Sequence, residues 1–383
     1  MVFYPNKFIG VTIMMKIFFL VVVLVVLSFM SIYTYRRFFL KITFLKPYGV
    51  WIRNLFLLAL IMIGVYFYLR GFDSLGQVGH IVLTSALGVM FMLFAVALVY
   101  DLGHISFKNV PFQQSRRQFI KIAYDVTFLI LAISYLFKGF VNGLKAPVLT
   151  KVSIMIEGWK KKGYKIIQLS DVHVGNTIKK EFVKELVKRI NAQNPDMVVI
   201  TGDLVDLTVE EIKEDLAPLK NLISTHGTFF VLGNHEYFHG AYAWIEHLET
   251  LGIKVLLNES IMIDGKFNLV GVNDYFGYRA GYLEPDVKKA FENVDERYPT
   301  IVLAHQPKMI KELRAYKPDL MLSGHTHGGQ IFPFGLLVLL DQPYLAGLYH
   351  DSGTQVFVSK GTGFWGPAIR VLAESEIVEI TIN

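Results

Sequence analysis

KIIQLSDVHVGNTIKKEFVKELVKRINAQNPDMVVITGD, residues 165 to 203, holds two short apolar runs, each ending in an aspartate, with an amphipathic segment between them. KIIQLSD and DMVVITGD are rich in β-branched residues and read as buried strands. Between them, IKKEFVKELVKRINAQ sets Phe182, Leu186 and Ile190 on one face at helical spacing. Strands that alternate with helices imply a layered α/β domain, and in such sheets ligands bind beyond the carboxyl ends of the strands.

Further along, GTFFVLGN, PTIVLAHQ and DLMLSGH repeat the strand signature, and EIKEDLAPLKNL, AYAWIEHLETL and PKMIKELRAY repeat the helical one. Each of the five strands ends in a side chain that can bind a metal or carry a proton. In order these are Asp171 with His173, Asp203, Asn234 with His235, His305, and His325 with His327. Oxygen and nitrogen donors converging at one sheet edge suit hard to borderline divalent ions such as Mn, Fe or Zn. The pair in GHTHGG follows from strand geometry, because side chains at i and i+2 point the same way. Gly202, Gly233 and Gly324 precede ligand positions, where a missing Cβ lets the backbone turn sharply and approach an ion. With no cysteine in the chain, disulfides, thiolate catalysis and Cys-ligated metal sites are excluded.

The first 145 residues read differently. The chain is 53% apolar, too much for an ordinary soluble protein, and four apolar stretches, roughly 17–35, 51–69, 81–100 and 122–138, each approach the ~20 residues that a bilayer core demands. The net charge of +6 comes from this region, since residues 151–383 carry more acids than bases. No basic stripe with interleaved aromatics remains to suggest nucleic acid. Arg36, Arg37, Lys41, Lys46 and Arg53 follow the first stretch, and Lys108, Arg116, Arg117 and Lys121 precede the fourth; the loop between the second and third has Arg70 opposed by Asp73. The positive-inside rule then places both basic loops in the cytoplasm and everything after residue 145 outside. SRRQFIK, residues 115–121, resembles a twin-arginine export signal with Ile120 in place of leucine, which implicates the twin-arginine export machinery as a partner. No small-residue cleavage site follows it, so the product is expected to stay anchored in the cytoplasmic membrane.

SDVHVG, TGDLVD, LGNHE, AHQP and GHTHGG, read in order, resemble the five signature blocks of the calcineurin-like metallophosphoesterases. The spans before the domain, GHTHGGQ and the ending VSKGTGFWGPAIR are similar to the membrane-anchored bacterial phosphodiesterase branch. Glu236 stands where aspartate is common, and Lys360 where arginine is. The resemblance implies a four-layer αββα sandwich over residues 146–383. It assigns Asp171, His173 and His327 to one metal, Asn234, His305 and His325 to a second, and Asp203 to both as a bridge. It also implies a metal-bridging hydroxide that attacks phosphorus in line, with His235 placed to protonate the leaving oxygen.

The substrate expected is a phosphoester, with a phosphodiester favoured and a lipid among the carriers considered. Hydrolysis of a lipid-linked or nucleotide-activated pyrophosphate is an alternative, as is a non-catalytic metal-binding scaffold, against which the intact ligand set and His235 speak. Of the other histidines, His226 reads as a turn residue, His247 as part of a helix face, His80 and His104 as membrane-edge loop residues, and His239 and His350 as surface. The apolar run IFPFGLLVLLDQPYLAGLY, residues 331–349, reads either as core packing or as a segment that dips toward the bilayer.

Overall fold

A computed structural model of the chain describes residues 7–69, 75–107, 114–160 and 162–383. Arg70, Asp73 and Lys108 of the charge bias lie outside the described residues. The chain divides into two compact units, a helical one up to Phe140 that also takes in Gly366–Ala368, and an α/β one of Val141–Trp365 and Ile369–Asn383.

The helical unit contains α1 (Lys7–Arg37), α2 (Gly49–Leu69), α3 (Gly76–Phe107) and α4 (Gln114–Leu144). All four are long and apolar enough to cross a membrane. Leu27 and Met30 of α1, Ile63 of α2, and Ala86 and Met90 of α3 form a small core, while Val25, Phe29, Trp51, Leu55, Ile61, Val82 and Phe137 point outward. Apolar side chains on the outer face of a bundle fit a lipid solvent rather than water. His80 and His104 lie within α3 rather than in loops; His104 stacks on Tyr100.

Two buried carboxylates tie one end of the bundle together. Asp101 accepts hydrogen bonds from Arg37 (2.8 and 2.6 Å), Lys41 (2.9 Å) and Tyr33 (3.1 Å). Asp125 accepts from Tyr100 (2.7 Å) and from Lys121, the last residue of SRRQFIK (2.6 Å). Acids within apolar helices persist only when paired in this way.

The α/β unit is built on two six-stranded sheets. The first has the order β1 (Val148–Ile154), β12 (Glu376–Ile382), β2 (Tyr164–Leu169), β3 (Met197–Thr201), β4 (Thr228–Val231), β5 (Ile253–Val255). The second runs β10 (Gly347–Asp351), β11 (Thr354–Val358), β9 (Leu320–Ser323), β8 (Thr300–Leu303), β7 (Phe267–Gly271), β6 (Glu259–Ile263). Strands β2 to β5 are parallel, as are β7, β8, β9 and β11, so their carboxyl ends share one direction within each sheet.

Alternation along each strand sends one set of side chains inward and the other outward. Ile166, Val199 and Val231 of the first sheet meet Leu269, Ile301, Leu303, Leu320 and Leu322 of the second in a shared core. The outer face of the second sheet, with Val270, Val302 and Met321, packs on α10 (Val287–Phe291) and α11 (Ile310–Leu313). Helices α5 (Lys180–Asn191), α6 (Val209–Leu216) and α8 (Ala241–Thr250) serve the first sheet. Helix, sheet, sheet, helix is the expected four-layer sandwich. On α5 the fully buried stripe is Val183, Leu186, Val187 and Ile190, and Phe182 is half-buried at its edge.

Candidate active site

The segments that follow β2, β3, β4, β8 and β9 carry all eight residues singled out above, with Asn234 and His235 opening a short helix after β4. Several of these residues hold backbone conformations that side chains resist: φ is +53° at Asp171, +54° at His173, +50° at Asp203, +70° at His325 and +51° at His327. Left-handed non-glycine residues are uncommon and gather at functional sites. After β2, β3 and β9 the chain bends sharply and turns a ligand inward.

Two glycines make room for these side chains. A Cβ on Gly324 would collide with Ser170 Oγ and the Asp171 carboxylate, and one on Gly233 would strike the Asp203 carboxylate. These glycines admit neighbouring ligands rather than an ion. Glu236, fully buried, accepts backbone N–H groups of Gly233 (2.7 Å), Leu204 (2.8 Å) and Asp203 (3.1 Å), which stitches the ends of β3 and β4 together.

The donor atoms converge. His173 Nε2 lies 3.0 Å from His327 Nε2, which is 3.4 Å from Asp171 Oδ1. His305 Nε2 is 3.2 Å from Asp203 Oδ2 and 3.2 Å from His325 Nδ1. Asp203 Oδ2 is also 4.0 Å from His173 Nε2 and 3.9 Å from His235 Nε2. Three overlapping groups result, Asp171–His173–His327, His173–Asp203–His235 and Asp203–His305–His325, in each of which the donors lie within 4.8 Å of one another. Asp203 is common to two of them.

What lies behind the rings fixes their orientation. With Nδ1 as donor, His173 bonds Asp206 Oδ1 at 2.7 Å and His305 bonds the Thr201 carbonyl at 2.8 Å. Each then turns the lone pair of Nε2 toward the cluster. The Asp171 carboxylate is held by the Ser170 hydroxyl (2.6 Å) and the His325 N–H (2.9 Å). Asn234 Oδ1 is buried with no hydrogen-bond partner, a costly arrangement for an amide oxygen unless a cation completes it.

Electrostatics agree. Burial, followed by the charge of His305, drives His325 down to about 3, and burial with His173 and Arg370 takes His327 well below the usual histidine value. Both imidazoles are neutral and able to ligate. Burial opposes ionisation of Asp203, but His305 and His235 overcome it and hold the carboxyl well below its ordinary range. This set of buried oxygen and nitrogen donors, crowded around a shared carboxylate with an orphaned amide oxygen, fits a pair of divalent ions.

His235 differs from the rest. Burial opposes its charge, yet Asp203 and Asp206 push it up to about 9. Its Nδ1 lies 2.6 Å from Asp206 Oδ1, off the line of a good hydrogen bond. Asp206 thus backs both His173 and His235, and the same two rings hold its carboxyl far down against burial. Sequence reading missed Asp206, although the second aspartate of TGDLVD, three residues past Asp203, was the available signal.

It also missed Arg370. Fully buried, this side chain donates to the carbonyls of Gly363, Lys360 and Ala373 and touches His327 Nδ1 at 3.2 Å. It ties the loop after β11 to the back of a candidate ligand. Of the histidines read as bland, His226 bonds the Tyr164 hydroxyl at 2.7 Å. His239 is half-buried, with its ring 6.3 Å from that of His235, nearer the site than a surface reading implied.

The calcineurin-like phosphoesterase family matches residues 164–329. An uncharacterized metallophosphoesterase of Helicobacter pylori is 45% identical over 304 residues, spanning 79% of this chain and 82% of that protein. One of Campylobacter jejuni is 33% identical over 376 residues, 97% of this chain and 99% of its own length. A transmembrane protein with metallophosphoesterase domain from Danio rerio is 32% identical over 319 residues, covering 78% and 72%. Since the family match takes in the strands that carry the clustered donors, and the Campylobacter relative aligns over almost the whole length, this chain belongs to the calcineurin-like metallophosphoesterases and is a metal-dependent phosphoester hydrolase.

Proposed function

We propose that the domain hydrolyses phosphodiesters, with lipid phosphodiesters as the substrate class. In this reading Asp171, His173 and His327 would hold one divalent ion, Asn234, His305 and His325 the second, and Asp203 both. The bound ions would supply an activated nucleophile at neutral pH and neutralise charge growing on the phosphoryl oxygens. His173 and His305 present their Nε2 atoms in fixed directions because Asp206 and the Thr201 carbonyl hold the opposite nitrogens. Burial of Asp171 and Asp203 keeps water from competing for their oxygens.

The observation that supports an ester with a poor leaving group, the diester among them, is the placement of His235. A diester expels an alkoxide, a poor leaving group that needs a proton. His235, its Nδ1 2.6 Å from Asp206 Oδ1 and its Nε2 facing the cluster, is placed to deliver that proton. In the test, full-length protein in lipid nanodiscs is supplied with manganese and a phosphodiester that has an alkyl leaving group. Turnover is expected, to be stopped by a chelator and restored by the metal, and to collapse in Asp203→Ala and His235→Ala with the fold retained. Wild-type turnover in either variant refutes the assignment.

We also propose that the domain lies outside the cytoplasmic membrane and that SRRQFIK directs its export. The asymmetry of the basic loops supports the first point. The second rests on the motif, which occupies the first turns of α4 and ends in the Lys121 that pairs with Asp125.

A further inference from the structure

The run from Ile331 to Leu340 contains no charged residue, and it is not core. After Ile331, which is buried, the chain forms the short helix α12 (Gly335–Val338) and a following turn that hold Leu336, Leu337, Leu339 and Leu340 out into the surroundings, Leu340 at 84% exposure. A second segment adds Trp365 and Leu372, the latter 70% exposed.

The two segments form one surface. Gln330 and Trp365 exchange hydrogen bonds, the Gln330 amide N–H donating to the Trp365 carbonyl at 2.9 Å and the Trp365 N–H to Gln330 Oε1 at 3.0 Å. Val371 N–H donates to the Gln330 carbonyl at 2.8 Å, and Phe332 N–H to the Val371 carbonyl at 3.2 Å. The surface also adjoins the site. Gly335 at the start of α12 packs on Gly329, two residues past His327, closely enough that a Cβ on Gly329 would meet its backbone at 2.5 Å. The Trp365 ring lies 6.4 Å from that of His235.

We propose that this shelf is a bilayer-docking surface, dipping into the interface of the membrane that carries α1 to α4 and bringing lipid-borne phosphodiesters to the metals. Contiguous exposed apolar surface of this kind marks an interaction site. A bilayer is the occupant favoured, because α4 ends at Leu144 and β1 begins at Val148. Three residues of chain keep a membrane within reach whichever side the domain occupies. The composition matches an interfacial element, with leucines to enter the acyl boundary and an exposed tryptophan suited to headgroup level. The inference deepens the lipid phosphodiesterase reading, and depends on that reading only for the catalytic benefit of docking.

The chain's lack of cysteine allows a test that does not pass through catalysis. Leu340→Cys and, separately, Leu372→Cys are labelled with an environment-sensitive fluorophore in the full-length protein in nanodiscs. Lys188→Cys on α5 serves as the reference, its side chain being 79% exposed. At an immersion of about 5–10 Å, a spin label at a shallow acyl position should remove about half or more of the emission at 340 and 372 and little at 188. Quenching at 340 and 372 no greater than at 188 overturns the proposal. So does cross-linking of position 340 to a second copy without quenching, which would make the shelf a protein interface. Strong quenching in a protein inactive on every lipid diester would leave the docking surface standing and remove the lipid phosphodiesterase reading.

Discussion

Asp206 concentrates the chemistry that separates this site from a plain metal cage. One carboxylate oxygen meets His173, a candidate ligand, and His235, a candidate acid. Replacing it with asparagine removes the negative charge that steadies both rings. For Asp206→Asn, kcat on a diester with an alkyl leaving group should fall by about 100-fold or more. On a nitrophenyl diester, whose leaving group needs no proton, the loss should be smaller; equal losses on the two substrates would argue against His235 as donor. A second expectation concerns the metal-free protein. His235 is raised from an ordinary 6.5 to about 9, so the stability it lends through its charge is fully present below pH 6.5 and is lost as pH rises through 9. The difference in melting temperature between wild type and His235→Gln, both treated with chelator, should therefore shrink between those two pH values. A difference that stays flat would show that the imidazolium is not stabilised by the two aspartates.

Strand ends decided what could be read from sequence at the scale of elements. Five strands stood out because each is a continuous apolar run that stops at a ligand. The edge strands β6 and β10 are half-exposed and show no such run. Strand β12, EIVEITI, contains two glutamates that the fold nonetheless buries. Glu376 accepts from Thr150 Oγ1 at 2.7 Å and from Lys360 N–H at 2.9 Å, and Glu379 lies 3.3 Å from Lys151 Nζ. Their partners sit on β1 and in the loop after β11, far away in the chain, so no local pattern reveals them. Asp206 is marked locally by TGDLVD, but its role depends on two rings that arrive after different strands, which no local pattern shows. Gly324, by contrast, was legible as special, and the fold sharpens why: β9 delivers its loop directly against Ser170 and Asp171 at the end of β2. Gly324→Ala should cost about 1–3 kcal/mol through overpacking and lower the metal bound per chain, measured by elemental analysis of the purified protein. Full metal occupancy with unchanged melting would mean that the two loops are free to separate.

Topology is the question that the whole molecule poses, and the chain's composition makes it answerable. Two arguments support the proposed position of the catalytic domain outside the cytoplasm: basic residues gather between α1 and α2 and in the first turns of α4, and SRRQFIK resembles an export signal. They are separable, because charge bias orients spans during insertion, whereas a twin-arginine signal acts through a dedicated exporter. A single cysteine reports on both. In intact cells, a membrane-impermeant maleimide should label Lys188→Cys, while Lys46→Cys, in the exposed turn before α2, should react only after permeabilisation. Adding Arg116→Lys and Arg117→Lys should abolish labelling at 188 if export depends on the arginine pair. Lysines preserve the charge, so labelling that survives would leave the charge bias as sufficient and make SRRQFIK a structural segment whose Lys121 neutralises Asp125. The reverse pattern, with 46 labelled and 188 protected, would put the metals in the cytoplasm. The physiological phosphoester would then have to be sought on the cytoplasmic side of the membrane.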